Sequence, residues 1–371
     1  MITGILKEIK VAENRVSMTP AGVEAMAAHG HTLLVEKDAG IGSGFEDAAY
    51  EAAGAEIVRT PEELYQRSEM VMHVKEPQPV EYPLIREDQI VFTYLHLAAE
   101  EQLTRALIER KSINIAYETI QKADGTLPLL TPMSEVAGRM ATQEGAKYLE
   151  MTHGGRGVLL GGVPGVAPGT VIVIGGGVVG INAARMACGL GARVYLLDTS
   201  LERLRYLSEV MPSNCFPVMS SVPTLRQLLP EADLVIGAVL IPGGQAPKLI
   251  TRDMLPLMKP GAVLVDVAID QGGCFETSKP TTHTEPTYMV DGIVHYCVAN
   301  MPGAVAKTSA LALTNATLPY AIEIANKGWK KACRENPEIR LGANVVSGHV
   351  TYERVAETFG LPYKEISSLL S

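Results

Sequence analysis

Short β-rich runs alternate with helix-like segments along most of the chain, which predicts βαβ units around mainly parallel sheets. The first series of predicted strands is MITGIL (1–6), TLLVE (32–36), EIV (56–58), MVMHV (70–74), IVFTYL (90–95) and INIAY (113–117). A second series follows at TVIVIG (170–175), ARVYLLD (192–198), DLVIGAVL (233–240), AVLVDVA (262–268) and IVHYCVAN (293–300). Thr19-Pro20 and Thr131-Pro132 read as helix starts, with Thr as N-cap and Pro at the first position. From Gly303 the pattern is helical again, and the tail beyond it reads as polar and helical. The expected architecture is α/β with two doubly wound domains. One is continuous, residues 130–305; the other is discontinuous, residues 1–129 plus 306–371. Helices near 134–151 and 304–325 would be the crossings, and a hinge of that kind commonly hosts an active-site cleft.

Composition narrows the class. A chain of 371 residues suggests two domains, and 47% hydrophobic residues against 20% charged leaves enough apolar material for two cores. The net charge of −9 and the lack of a basic face argue against a nucleic-acid partner. Cys188, Cys215, Cys274, Cys297 and Cys333 are odd in number and form no CxxC pair. That argues against a disulfide framework or zinc knuckle, predicts no metal, and fits a reducing cytosol. The N-terminal MITGILKEIK is too short in its apolar stretch for a secretory signal. Residues 157–184 carry no charge, but nine glycines with Pro164 and Pro168 exclude a membrane-spanning helix.

The strongest motif is TVIVIGGGVVGINAARMACGLGARVYLLD. Gly175 permits a tight turn, Gly177 lets the backbone approach a pyrophosphate, and Gly180 allows close helix–strand packing. Asp198, 18 residues after Gly180, stands where a carboxylate accepts the adenosine ribose hydroxyls and repels a 2′-phosphate. Strand, turn, helix, strand and acid together make this a Rossmann dinucleotide signal that favours NAD over NADP. The rival Gly40-Ile41-Gly42-Ser43-Gly44 has GxGxG spacing with Glu46 and Asp47 close behind, and reads as a structural turn.

Ligands of open α/β sheets bind beyond the carboxyl ends of the strands. There MVMHV leads to Lys75, IVFTYL to His96, INIAY to Glu118, and MITGIL to a loop carrying Arg15. In the second series AVLVDVA leads to Asp270 and IVHYCVAN ends at Asn300. Cations, an imidazole and a carboxylate in such places suit a small carboxylate substrate and proton transfer. Each also has an ordinary reading. Lys75 could pair with Glu76, Arg15 could be solvated, His96 could be a bonded core histidine, and Asp270 could be a turn residue before Gly272-Gly273. Glu323 and Lys327, at i and i+4, read as a surface ion pair rather than metal ligands.

KEIKVAENRVSMTP, AGIGSGFEDAAY, VKEPQP, YLHLA, the GGGVVG turn and VDVAIDQGG, taken in order and spacing, resemble the L-alanine dehydrogenases along nearly the whole chain. The resemblance implies NAD-dependent oxidative deamination of L-alanine to pyruvate and ammonium, the reverse amination, and a homohexamer. It implies that Arg15 and Lys75 bind substrate and that His96 and Asp270 are catalytic. It places NAD contacts at Ser134, Val178, Val179, Asp198, Arg203, Ser220, Val239, Leu240, Val267, Ala268, Ile269, Lys279, Val298, Ala299, Asn300 and Met301, beside Gly175, Gly177 and Gly180. The continuous domain would then hold NAD and the discontinuous one the substrate. The same ancestry includes the NAD-binding part of proton-translocating transhydrogenase, which leaves that subunit, or a non-catalytic NAD-binding module, as alternatives.

Overall fold

The computed structural model describes residues 1–239 and 246–370. Two compact units divide the chain: Met1–Met133 with Val305–Ser371, and Ser134–Ala304. In chain order the strands are β1 (Ile2–Ile5), β2 (Thr32–Glu36), β3 (Glu56–Val58), β4 (Met70–Met72), β5 (Ile90–Thr93) and β6 (Ile113–Ala116). Then come β7 (Thr170–Ile174), β8 (Arg193–Asp198), β9 (Cys215–Met219), β10 (Leu234–Gly237), β11 (Val263–Asp266), β12 (Thr287–Val290), β13 (Ile293–Tyr296), β14 (Ala343–Val346) and β15 (His349–Val350).

The first unit's sheet runs β15-β14-β6-β5-β4-β1-β2-β3, with β1 to β6 mutually parallel. The second unit's sheet runs β12-β13-β11-β10-β7-β8-β9, parallel except for the antiparallel edge β12. In each, the unit's first strand lies inside the sheet, with the second and third strands to one side and the fourth and fifth to the other. This is the doubly wound order, and it opens a crevice at the carboxyl ends where the winding reverses. That crevice falls between β1 and β4 in the first unit, and between β7 and β10 in the second.

Burial explains why these runs become strands. β5, β6, β7, β10 and β11 are buried along their whole length, as parallel strands covered on both faces must be. Leu34, Leu64, Val71, Val91 and Leu107 pack in the first core, and Ile172, Leu197, Val235, Leu264 and Phe275 in the second. Burying each such side chain contributes roughly 1.5–3 kcal/mol. The predicted strands generally overrun the observed ones at the carboxyl end, so Lys75 and His96 lie past the last paired residues of β4 and β5.

The tail departs from the all-helical expectation. Between short helices it forms the hairpin β14–β15, turned by Ser347 and Gly348 at φ 48 and 83, and β14 adds antiparallel to β6. Two consecutive positive φ values mark the turn type that matches strand twist. Four residues, ANVV, are too few to announce a period. The glycine-rich stretch 157–184 forms a loop with the bridge Val163–Val166, then β7, then the first turns of the helix Val178–Gly189. Among the described residues no helix is long and apolar enough to cross a membrane.

Candidate active site

In the first unit Lys75, His96 and Glu118 follow the carboxyl ends of β4, β5 and β6, and Arg15 lies on the long loop after the neighbouring strand β1. Arg15 is 3% exposed, and its Nε and Nη2 are bonded to the two oxygens of buried Glu13 at 2.7 and 2.6 Å. Its Nη1 lies 3.0 Å from Met133 Sδ. Burial alone would lower the guanidinium pKa; the Glu13 carboxylate outweighs it, and the pKa is raised. One edge of the fork is therefore already spent on holding Arg15 still. The segment Gly40–Gly44 supports this loop. It forms a short 3-10 turn, Ile41–Ser43, and Ser43 Oγ donates to the Asn14 carbonyl at 3.0 Å.

Lys75 is half-buried, and its backbone is held from two sides. Its amide donates to Glu8 Oε2 at 3.3 Å, and its carbonyl accepts from Thr93 Oγ1 at 3.0 Å. His96 is exposed and has a left-handed backbone, φ 49, uncommon outside glycine. Glu118 fixes that conformation by accepting from the amides of His96, at 2.6 Å, and Leu95, at 3.2 Å. The imidazole stacks on Tyr94 with 5.9 Å between centroids and 8° between planes. Tyr94 is buried, and its hydroxyl donates to the Leu129 carbonyl. A solvent-facing imidazole on a fixed backbone is placed to give and take protons.

In the second unit the crevice holds the glycine turn. Gly175 sits at φ 104, where a Cβ would lie 2.7 Å from the Ala238 carbonyl and 3.1 Å from Val239 Cγ2. A Cβ at Gly180 would collide with the Gly175 carbonyl. Gly177 is exposed, and a Cβ there would meet only open space. The helix Val178–Gly189 begins at once, with Val178 exposed, and its first amides have no partner within the helix. Asp198, at the end of β8, accepts from the Gly176 amide at 2.8 Å and from the Ser200 amide at 2.8 Å. Arg203 Nε donates to the Gly176 carbonyl at 2.6 Å, and the Ser220 amide donates to the Asp198 carbonyl at 2.9 Å. An open, glycine-lined helix N-terminus beside a strand-end carboxylate fits a dinucleotide.

The remaining predicted contacts lie on neighbouring strand-end loops. Val267, Ala268 and Ile269 open the 3-10 segment Val267–Gln271 after β11, and Asp270 is exposed on it. Buried Asp266 pins this loop. It accepts from the amides of Ala268, Cys274 and Phe275 at 3.1, 2.9 and 3.2 Å and from Ser278 Oγ at 2.5 Å. Lys279 is exposed, with its amide on Tyr288 Oη at 2.6 Å. Val298 and Met301 are buried; the Ala299 amide donates to Thr281, and Asn300 is left-handed at φ 56. Ser134 is half-buried on the helix Thr131–Tyr148. Leu240 lies outside the described residues.

The structure thus gathers Arg15, Lys75 and His96 in one unit, and Asp270 with the dinucleotide residues in the other. Sequence reasoning passed over Glu13 and Asp266, and saw Glu118 only as a strand-end acid. One signal was available for Glu13: an arginine destined for burial needs an acid close by. Glu323 and Lys327 do pair, at 2.8 Å.

Two family models match. "Alanine dehydrogenase/PNT, N-terminal domain" covers residues 4–137 and "Alanine dehydrogenase/PNT, C-terminal domain" covers 141–353. The chain is 57% identical to an alanine dehydrogenase of Halomonas elongata over 370 residues and 54% identical to one of Methanococcus maripaludis over 372, each covering 100% of both proteins. A solved structure titled L-alanine dehydrogenase superposes with a TM-score of 0.94 at 49% identity, over 97% of this chain and 99% of that one. A transhydrogenase from Sinorhizobium meliloti matches with a TM-score of 0.82 at 23% identity, over 95% of this chain and 99% of that one, a likeness of fold.

Proposed function

The chain belongs to the alanine dehydrogenase/PNT family, and from that premise we propose that it oxidises L-alanine to pyruvate and ammonium with NAD and runs the reverse amination. What supports this reading is the placement of Lys75 and His96 just past the carboxyl ends of the adjacent parallel strands β4 and β5, with Arg15 on the loop that follows the neighbouring strand β1. A pure nucleotide binder has no use for that group.

The glycine turn, the first amides of the helix Val178–Gly189 and Asp198 would hold the dinucleotide, and Asp198 favours NAD over NADP by repelling a 2′-phosphate. When bound, the nicotinamide supplies a hydride acceptor. Arg15, its guanidinium held in place by Glu13, binds the substrate carboxylate. Lys75 binds the carboxylate or carbonyl oxygen, and in the amination direction stabilises negative charge on that oxygen. Together they fix the orientation of the alanine Cα–H bond, from which the hydride departs with its electron pair. Loss of the amine proton leaves an imine; water adds to give a carbinolamine, whose collapse releases ammonia and pyruvate. His96 exchanges protons at its imidazole during these steps, and Asp270 orients or activates the water.

We also propose a homohexamer in the cytoplasm, which light scattering would show as six times 39.7 kDa. The test of the activity is NADH formation across a panel of L-amino acids, with pyruvate plus ammonium in reverse. L-Alanine should lead, because among the described strand-end residues the cations Arg15 and Lys75 are already committed to the substrate's own carboxylate and carbonyl. Absence of turnover on L-alanine, or equal turnover on L-glutamate or L-lysine, contradicts the proposal.

A further inference from the structure

Behind Lys75 lies a buried charge cluster that the proposed chemistry leaves unused. His73, 1% exposed, places Nδ1 3.4 Å from Glu8 Oε1 and Nε2 3.5 Å from Glu81 Oε1. The Tyr65 hydroxyl is 3.0 Å from Nε2. Glu36, at the end of β2, adds its field to the same imidazole and accepts from the Lys7 amide at 2.8 Å. The groups facing His73 are therefore Glu8 from the loop after β1, Glu36 from β2, Tyr65 from the helix Pro61–Arg67 and Glu81 from the turn before Tyr82. Exposed Lys7 adds its charge near Glu36. An ion so deeply buried is tolerated only when paired.

Glu8 connects this cluster to the substrate residue. The carboxylate that faces His73 also accepts from the Val74 amide at 2.6 Å and the Lys75 amide at 3.3 Å. Three donors from one strand end thus converge on a single carboxylate. Thr93 Oγ1, on the next strand, holds the Lys75 carbonyl from the opposite side.

We propose that the His73–Glu8 pair is a positioning device for Lys75: the imidazolium holds the Glu8 carboxylate, which holds the backbone of Val74 and Lys75 and so sets where the Lys75 ammonium meets the substrate. This rests on the reading that Lys75 contacts substrate. Burial disfavours the imidazolium, but the Glu81, Glu8 and Glu36 carboxylates outweigh it and raise the His73 pKa to about 9. The device is therefore engaged at neutral pH and disengages as pH rises through about 9, leaving Glu8, Glu36 and Glu81 without their countercharge.

The test measures pyruvate KM at saturating ammonium and NADH against pH, with NADH affinity read separately by fluorescence. Glu8→Gln, which keeps one acceptor but loses the charge, is expected to raise pyruvate KM about tenfold at pH 7, the scale of one charge-assisted hydrogen bond. Its NADH affinity should stay within about threefold of wild type. Glu81→Gln removes the other acid from His73 without touching Lys75. It should leave the neutral-pH KM unchanged and move the alkaline rise in KM to lower pH. The His73 ring signal in NMR should follow the same shift. A folded Glu8→Gln with wild-type pyruvate KM overturns the proposal. So does an alkaline rise that Glu81→Gln fails to move, which alone decides if Glu8→Gln does not fold. Undiminished pyruvate use in Lys75→Ala would remove the premise about Lys75. The pair fails on its own account when Lys75→Ala loses pyruvate affinity and Glu8→Gln keeps it.

Discussion

The two units wind their sheets in the same order and furnish the resulting crevice in opposite ways. After β7 the chain turns on Gly175, Gly176 and Gly177 and enters a helix at Val178, so the crevice presents bare backbone. After β1 no such turn occurs. A long charged loop runs to the helix starting at Pro20, and buried Arg15 and Glu13 occupy it. Backbone amides at a helix start suit a diphosphate, whereas an arginine locked against its own acid suits a small carboxylate. Topology provides the place, and in the proposed function the first loop after the first strand decides the ligand. A second contrast is shared logic with different parts. In each unit a buried carboxylate pins the loop that carries a charged side chain: Glu8 for Lys75 in the first, Asp266 for the Asp270 loop in the second.

The largest expected effect falls on proton transfer. His96→Ala and Asp270→Asn should each lower kcat by about 10²–10⁴-fold, the usual worth of general acid–base catalysis. Both should still bind NADH in a fluorescence titration. Near-wild-type kcat in either variant would reassign that residue to a structural role.

Next comes the pH dependence of stability in the first unit. A histidine whose folded pKa is raised from about 6.5 contributes stability that is fully present below the unfolded value. That contribution is lost as pH rises through the folded value of about 9. At about 1.4 kcal/mol per unit, the His73 cluster contributes at most ~3.5 kcal/mol. Chemical denaturation at pH 6 and pH 10 should show this loss in the wild type and a smaller one in Glu81→Gln. Equal losses would show that the carboxylates are not what holds the proton.

A smaller effect sharpens the second unit's side of the contrast. Asp198→Ala should narrow the ratio of kcat/KM for NAD over NADP about tenfold, corresponding to roughly 1.4 kcal/mol of lost discrimination. An unchanged ratio would mean that Asp198 acts only through its bonds to the Gly176 and Ser200 amides.

Most of the doubly wound frame was legible because parallel strands buried on both faces read as continuous apolar runs. IVFT, INIA, TVIVI and VLVD lie where those runs placed them. The glycine turn was legible because its spacing has a steric cause, visible in the clash a Cβ at Gly180 would make. The edge strand EIV was legible as well, but three other short strands were not. CFPVM contains Pro217, ANVV is four residues long, and TYMV leads into Asp291-Gly292, a hairpin signal that was overlooked. Strand ends pointed to Lys75, His96 and Glu118. Nothing in the pattern revealed that Glu118 clamps the His96 backbone, and the need of a buried arginine for a nearby acid was the one hint that Glu13 takes one edge of Arg15. Those contacts depend on which loops meet in space, and neither glutamate differs in sequence from the exposed acids around it.

The claim that the two crevices divide the ligands between them is tested most directly by measuring NADH affinity and pyruvate KM together in Arg15→Lys and Lys75→Ala. Arg15→Lys keeps a charge opposite Glu13 but loses the planar fork, so pyruvate KM should rise; Lys75→Ala should lower kcat as well as weaken pyruvate use. NADH affinity in both should stay within about threefold of wild type, or roughly 0.7 kcal/mol. A much larger loss of NADH binding with pyruvate affinity intact would place these residues on the cofactor and contradict the account.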